Sequence, residues 1–291
     1  MGRTRNTEMP NLFIIGAAKC GTTSLHCYLD LHPEISMSRI KEPRFFACPE
    51  GTREERAITD RNRYLALFEA GKKIRGEASP AYSQHPAVSG VPGRIAMESP
   101  DAKFIYLVRD PIERIESQLR MLAALDTYES LRYGRPVDAL PVDGLVDASR
   151  YMSQIRQYLE VFRAESILVL DSERLARDRR GSLAETFRFL GVDTTFEDSE
   201  FDHRVNRGHA LRALPAPLDR LPGSAPIGKV KSALGARRVR RIRWWISLRF
   251  GSPVQPISLS SRLREELKCE LRPEIEDLRE FTGLKFEGWS I

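Results

Sequence analysis

A glycine-bearing turn near the start of the chain has the residue types of a phosphate-binding loop. Gly16 and Gly21 bracket a loop that contains Lys19, follows the apolar run Leu12–Gly16 and precedes a segment with helical spacing. A helix N-terminus offers unpaired N–H groups and the positive end of the helix dipole, and glycine lets the backbone approach a phosphate closely. The hydroxyl donors at the start of that helix are Thr22, Thr23 and Ser24. The turn therefore predicts an anion site.

The spacing of this loop nearly fits the GxxxxGK[ST] pattern of P-loop nucleotide-binding proteins, but its lysine is displaced. Thr22 stands where the pattern has lysine, and the lysine of this loop is Lys19. In P-loop kinases the lysine reaches the β- and γ-phosphates. A lysine placed earlier would lie over a single group bonded to the α-phosphate. This favours a donor with one phosphate and one terminal sulfuryl group. A strand–helix turn with an incidental lysine is the structural alternative.

A charged turn, Lys41–Arg44, places the carboxylate of Glu42 between two cations. Sulfuryl transfer to a hydroxyl or amine has two requirements. A base must take the proton of the acceptor, and positive charge must lie near the leaving phosphate. The turn contains both. By residue type alone the motif is weak, and an ordinary exposed charged turn is the favoured interpretation.

A third candidate follows the apolar run Lys103–Val108, where Arg109 comes directly after the predicted strand. Ser117 lies eight residues further on, within a predicted helix. The forked guanidinium of arginine matches a phosphate, and a hydroxyl can complete such a site. From the residues alone, a structural ion pair is the alternative role for Arg109.

Together these motifs resemble those of PAPS-dependent sulfotransferases, in particular the heparan-sulfate-type carbohydrate enzymes and their bacterial relatives. PAPS is 3′-phosphoadenosine 5′-phosphosulfate. Asn11–Leu25 resembles the 5′-phosphosulfate loop, Lys41–Phe46 the segment with the general base, and Arg109–Ser117 the 3′-phosphate signature. Gly76–Tyr82 resembles the segment that lines the acceptor cleft. The resemblance covers most of residues 11–210 and implies PAPS as donor, PAP as product and no metal.

The resemblance also implies a role for each motif residue. Glu42 would be the general base, Lys41 a nearby cation, and Lys19 the group that stabilises charge on the bridging oxygen. The contacts to the 5′-phosphosulfate would come from Lys19, Gly21, Thr22, Thr23 and Ser24. The contacts to the 3′-phosphate or adenosine would come from Arg109, Ser117, Arg207 and Gly208.

Three positions depart from the family pattern. Cys20 stands where many relatives have Thr or Gly, Arg44 where a relative has His, and Ala78 where some heparan-sulfate enzymes have lysine. We assign Cys20 no catalytic role. Within the Arg109–Ser117 motif, we expect Arg114 to support the fold.

The elements that must position these motifs are apolar strands alternating with helices. The predicted strands are Leu12–Gly16, Ile35–Ser38, Ile74–Glu77, Lys103–Val108 and Ile167–Asp171. The predicted helices are Thr22–Leu31, Tyr64–Phe68, Pro111–Leu125, Tyr151–Phe162, Leu183–Leu190 and Leu263–Phe281, the last interrupted or restarted near Pro273. Asp126–Ser149 is predicted as a long surface loop. This pattern predicts an α/β, P-loop-containing three-layer fold with a central parallel sheet flanked by helices and ligands at the carboxyl ends of the strands.

Composition sets wider bounds. The 291 residues, 41% of them hydrophobic, suit a single domain over residues 1–291, with a flexible N-terminus at 1–10 and a basic segment at 205–256 closing over the sites. The net charge of +6 favours anionic ligands. The four cysteines and five histidines lack metal-ligand spacing, so no metal site is predicted. The polar start of the chain has no apolar leader, and we expect a cytoplasmic protein.

Two other functions fit parts of the sequence. One is a P-loop nucleotide or small-molecule kinase, which would need ATP and Mg²⁺. The other is a basic polyanion- or membrane-binding protein that uses Arg237–Phe250, where basic residues alternate with tryptophans. For a sulfotransferase, the acceptor is a glycan or a small molecule, with anionic acceptors included and nucleic acid not expected. The predicted base can take a proton from either a hydroxyl or an amine of the acceptor.

Overall fold

A computed structural model describes residues 8–48, 57–124, 143–203 and 258–291, together with the backbone of 212–213 and 252–253. The chain forms two compact units. The first unit comprises residues 1–115, 141–207 and 264–291, and the second unit comprises residues 116–140 and 208–263. The prediction of one domain over the whole chain stays a prediction.

The first unit is built on a five-stranded parallel sheet, as the sequence predicted. Its strands are β1 (Leu12–Gly16), β2 (Ile35–Met37), β3 (Ile74–Ala78), β4 (Lys103–Val108) and β5 (Ile167–Asp171). Their order across the sheet is β2-β3-β1-β4-β5. Strand β1 therefore lies at the centre of the sheet. Strands β3 and β2 lie on one side of it, and strands β4 and β5 lie on the other.

The described residues also form helices that flank this sheet. They are α1 (Thr22–Asp30), α2 (Arg61–Leu65), α3 (Val91–Glu98), α4 (Pro111–Ala124), α5 (Asp143–Asp147), α6 (Tyr151–Leu159), α7 (Ser172–Arg177), α8 (Arg179–Leu190) and α9 (Ser261–Thr282). Helices α3, α5 and α7 are additional to those that the sequence predicted. The three-layer α/β architecture is confirmed.

Helix α9 corrects one prediction, because it continues through Pro273 without a break. Proline removes one hydrogen bond from a helix interior and crowds the preceding turn. Here Leu267 and Leu271 on one side of the proline, and Ile275 and Leu278 on the other, are all buried. Burial of this continuous apolar face offsets the cost of the proline.

The core lies between the sheet and its helices, and the strands carry apolar side chains on both faces. Phe13 of β1 stacks on Phe104 of β4 with ring centroids 5.9 Å apart, and its edge contacts Phe46 at 5.6 Å. Phe46 belongs to the predicted base segment. The core therefore anchors the end of that segment.

The predicted surface loop Asp126–Ser149 is wrong over its described part. Residues 126–142 lie outside the described residues, whereas residues 143–149 include helix α5 and the fully buried Ser149. The cause is Arg114, which is itself fully buried and donates from Nε to Ser149 Oγ at 2.6 Å and from Nη2 to the Leu145 carbonyl. A buried guanidinium requires acceptors, and this segment supplies them.

In the second unit, β6 (Arg212–Ala213) pairs antiparallel with β7 (Ser252–Pro253). The Leu259 N–H donates to Glu116 at 3.1 Å. The predicted basic segment Arg237–Phe250 lies outside the described residues. Within the described ranges, no helix is both long and apolar enough to cross a membrane.

Candidate functional site

All five strands end at one edge of the sheet because every pairing is parallel, and the predicted motifs follow three of them. The glycine loop follows β1, the charged turn Lys41–Arg44 follows β2, and Arg109 follows β4. Ser79 follows β3, which lies between β1 and β2. A parallel sheet opens a crevice at the carboxyl ends of its strands where the chain order reverses. The fold thus places these motifs around one crevice.

The glycine loop has the backbone of an anion site. Lys19 and Gly21 adopt left-handed conformations, with φ of 73° and 90°. Such residues turn successive N–H groups toward one concave side. Gly21 is the N-cap of α1, and within the described residues no side chain caps its first turn, which leaves N–H groups at the helix start for an anion. This arrangement fits a phosphate or sulfuryl group.

The two loop glycines are required for different reasons. A Cβ on Gly16 would lie 2.0 Å from Ser83 Oγ and 2.8 Å from the Tyr106 ring, so no side chain fits there. A Cβ on Gly21 would meet no neighbour within 4 Å, but the φ of 90° disfavours every other residue. Packing thus selects Gly16, and backbone conformation selects Gly21.

The side chains of the loop differ in accessibility. Lys19, Thr23 and Ser24 are half-buried, whereas Thr22 is buried. Burial raises the pKa of Cys20 to about 12, although Arg114 and Arg109 act in the opposite direction. The Cys20 thiol is therefore protonated at neutral pH and is not a nucleophile.

The charged turn holds Glu42 as an ionised carboxylate. Lys41 Nζ lies 3.0 Å from Glu42 Oε1, and Arg44 Nη2 lies 3.4 Å from Oε2. Burial alone would raise the pKa of Glu42, but Lys41 and then Arg44 bring it below the ordinary value. With a side chain 38% exposed, Glu42 is both charged and reachable, as a base must be.

The backbone of this turn is held by the end of β3. Glu42 and Arg44 have left-handed φ values of 59° and 56°, which cost free energy in residues other than glycine. The Glu42 N–H donates to the Ala78 carbonyl at 3.1 Å, and the Arg44 N–H donates to Ser79 Oγ at 3.1 Å. These contacts stabilise an otherwise unfavourable conformation.

Arg109 is held by two carboxylates. Its Nε donates to Glu173 Oε1 at 3.2 Å, and its Nη2 pairs with Glu113 Oε2. The Tyr151 hydroxyl donates to the Arg109 carbonyl at 2.8 Å. The ion pairs are present, as the structural alternative predicted. The phosphate role of Arg109 stays a prediction.

Sequence reasoning missed Glu173. It lies in the first turn of helix α7, where its N–H donates to the capping Asp171 at 3.0 Å. Burial, with a further contribution from Asp171, raises the pKa of Glu173 to about 7. The run Ile167–Asp171 followed by Ser and Glu was the available signal, since it places acidic residues at the end of the strand beside β4.

The structure brings most of the predicted residues into the first unit. Arg109 acts electrostatically on Cys20 of the loop, and Lys41 acts on His26 and Cys27 of α1. The glycine loop, its helix and both charged motifs are therefore neighbours. Ser117 is half-buried on α4 and belongs to the second unit. Arg207 and Gly208 lie outside the described residues.

This chain is similar to several proteins of known family. A family model described as the sulfotransferase domain matches residues 9–207. Mouse carbohydrate sulfotransferase 15 is 27% identical over 259 residues, covering 66% of this chain and 45% of the relative. Human heparan sulfate glucosamine 3-O-sulfotransferase 3B1 is 28% identical over 214 residues, covering 69% of this chain and 51% of the relative. The chain thus spans about half the length of these curated relatives.

A crystal structure of a sulfotransferase from Alicyclobacillus acidocaldarius matches over 98% of this chain and 100% of that one, with 25% identity and a TM-score of 0.65. The fold and the family model therefore agree. Because the family model covers more than half of the chain, this protein belongs to the sulfotransferase family.

Proposed function

We propose that this protein transfers the sulfuryl group of PAPS to a hydroxyl or amine of a carbohydrate acceptor and releases PAP. The observation that carries this proposal is the pairing of two features at one edge of the sheet. One is an uncapped phosphate loop, and the other is an ionised, accessible carboxylate at Glu42. A donor site and a base are the two parts that the reaction needs.

The donor would lie across two motifs. Its 5′-phosphosulfate would contact Lys19, Gly21, Thr22, Thr23 and Ser24. Its 3′-phosphate would contact Arg109. The contacts of Ser117, which belongs to the second unit, and of Arg207 and Gly208, which lie outside the described residues, stay predictions from the sequence. The guanidinium of Arg109 already pairs with the carboxylates of Glu113 and Glu173, and phosphate oxygens make the same kind of charged hydrogen bond.

In the proposed reaction, Glu42 takes the proton of the acceptor group. The lone pair of the acceptor atom forms a bond to sulfur as the bond between sulfur and the bridging oxygen breaks. The electron pair of that bond leaves with PAP. Lys19 and the N–H groups of the loop stabilise the charge that develops on the bridging oxygen. In this scheme protein cations supply the positive charge, so we propose that transfer requires no metal ion.

The pH dependence of kcat should show the effect of the charged groups beside Glu42. We expect Lys41→Met to move the acidic limb of the pH–kcat profile to higher pH, because the ammonium group helps to keep the pKa of Glu42 low. In the unsubstituted protein Glu42 stays ionised to lower pH. Lys268→Met, which removes a lysine paired with Glu265 on α9, is the matched control. An acidic limb that stays in place in Lys41→Met would contradict this account of Glu42.

The acceptor class can be tested with isotopically labelled PAPS. We expect label to enter glycan acceptors, desulfated heparan sulfate among them, in step with PAP release, because the two curated relatives named above act on carbohydrates by name. Mass spectrometry of the labelled product then distinguishes O-sulfation from N-sulfation. Label that enters small phenols or lipids, with none in glycans, would overturn the carbohydrate part of the proposal.

A further inference from the structure

A buried carboxylate lies beneath the charged turn. Glu77, on β3, is fully buried, and the side-chain hydrogen bonds found for its carboxylate among the described residues do not come from cations. Its carboxylate instead accepts three hydroxyl hydrogen bonds: from Tyr64 at 2.5 Å, from Ser79 at 2.6 Å and from Tyr82 at 2.7 Å. Such a buried, multiply bonded group is costly to disturb, since each partner left unpaired loses a hydrogen bond without water to replace it.

The direction of these hydrogen bonds determines what the hydroxyls can do next. A hydroxyl has a single proton, and in each of these groups Glu77 accepts it. The oxygens of Ser79 and Tyr82 are therefore left as acceptors. Ser79 Oγ accepts the N–H of Arg44 at 3.1 Å, and Tyr82 Oη accepts the N–H of Phe46 at 3.1 Å.

The third hydroxyl-bearing residue supports the same turn through its ring. Tyr64 stacks face to face on Phe45, with centroids 4.2 Å apart and planes 5° from parallel. Three consecutive residues, 44, 45 and 46, are thus each held by a group that is bonded to Glu77. The turn carries left-handed backbone at Glu42 and Arg44, and such conformations persist only when the surroundings determine them.

We propose that Glu77 is a positioning residue for Glu42. As an acceptor of three hydroxyl protons, it orients the groups that hold the turn, and the turn holds the Glu42 carboxylate beside Lys41. This inference rests on the proposed role of Glu42 as the base. Glu77 itself, being fully buried beneath the turn, acts through these groups.

Glu77→Gln tests the inference with little change in size. The amide nitrogen is a donor, so the hydroxyl of Ser79 or of Tyr82 must turn its proton away from residue 77, which disturbs its contact with the N–H of Arg44 or Phe46. We expect kcat to fall roughly 10- to 100-fold, because small misplacements of reacting groups cost about this much. We expect the PAP dissociation constant to stay within about twofold, since the nucleotide site is not part of this network. Ser79→Ala and Tyr82→Phe, which each remove one link, should lower kcat in the same way.

Glu274→Gln is the matched control. Glu274 is also a buried carboxylate. It accepts one hydrogen bond from the backbone N–H of Ser153, at 2.8 Å, and another from the Ser153 hydroxyl. We expect this variant to unfold at lower temperature than the unsubstituted protein while keeping its kcat. Glu42→Gln is measured in parallel, with PAP affinity and thermal unfolding recorded for every variant.

The outcomes separate the two claims. A folded Glu77→Gln with unchanged kcat overturns the positioning role, and so does a parallel loss of kcat and PAP affinity in all three network variants. If Glu77→Gln does not fold, unchanged kcat in Ser79→Ala and Tyr82→Phe overturns it instead. Unchanged kcat in Glu42→Gln overturns the proposed base, whatever the network variants show.

Discussion

Glu42→Gln is expected to lower kcat for sulfuryl transfer by roughly 10²- to 10⁴-fold, the usual contribution of a positioned general base. Glutamine keeps the length of the side chain but cannot take a proton from the acceptor. The amide is neutral and has one acceptor oxygen in place of two, so the charge pairing with Lys41 and Arg44 is also lost. The measurement is steady-state transfer from labelled PAPS with saturating acceptor.

The affinity for PAP provides the contrast in this experiment. The proposed nucleotide contacts lie on the glycine loop and at Arg109, so we expect the PAP dissociation constant of Glu42→Gln to match that of the unsubstituted protein. Glu98→Gln is the control, because it removes an accessible carboxylate paired with Arg61 at 2.5 Å. Full turnover by Glu42→Gln with normal PAP binding would assign the base to another residue.

Lys19→Met is expected to reduce kcat by about 10²- to 10³-fold, as observed when one group that stabilises a developing oxyanion is removed. The charge on the bridging oxygen grows as the bond to sulfur breaks. Lys19 therefore stabilises the transition state more than bound PAPS, and kcat should fall by a larger factor than PAP affinity. The rate of transfer is measured in single-turnover experiments with labelled PAPS. The affinity for PAP is measured by calorimetric titration.

Methionine retains the bulk of the lysine side chain and places no new strain on the left-handed backbone at residue 19. Lys72→Met, which removes a lysine bonded to the Pro33 carbonyl, is the control for loss of charge. If Lys19→Met changed neither turnover nor PAP affinity, the assignment of the loop would fail.

Much of the fold could be predicted because the strands are buried on both faces. Leu12–Gly16, Lys103–Val108 and Ile167–Asp171 are short apolar runs, and each is a strand within the predicted bounds. Helix α3 was missed because it begins Val-Pro-Gly, a sequence typical of turns. Proline is tolerated in the first turn of a helix, where its missing N–H costs nothing.

The site could be predicted only where its residues are close in sequence. The glycine loop, the charged turn and the Arg109 motif each form a local pattern. The partner of Arg109, Glu173, lies 64 residues away, and its role depends on the pairing of β4 with β5. The network around Glu77 likewise needs the fold to bring Tyr64 and Tyr82 to one carboxylate. Neither the Arg109–Glu173 pair nor the network around Glu77 has a residue spacing by which it could be recognised in the sequence.

We propose that the glycine loop and Arg109 form a PAPS site that works without a metal ion. Calorimetric titration of the protein with PAP in a chelating buffer, beside ATP with Mg²⁺, tests it most directly. We predict saturable binding of PAP that Lys19→Met and Arg109→Ala each weaken, and no comparable binding of ATP with Mg²⁺. Binding of ATP with Mg²⁺ and none of PAP would contradict the account.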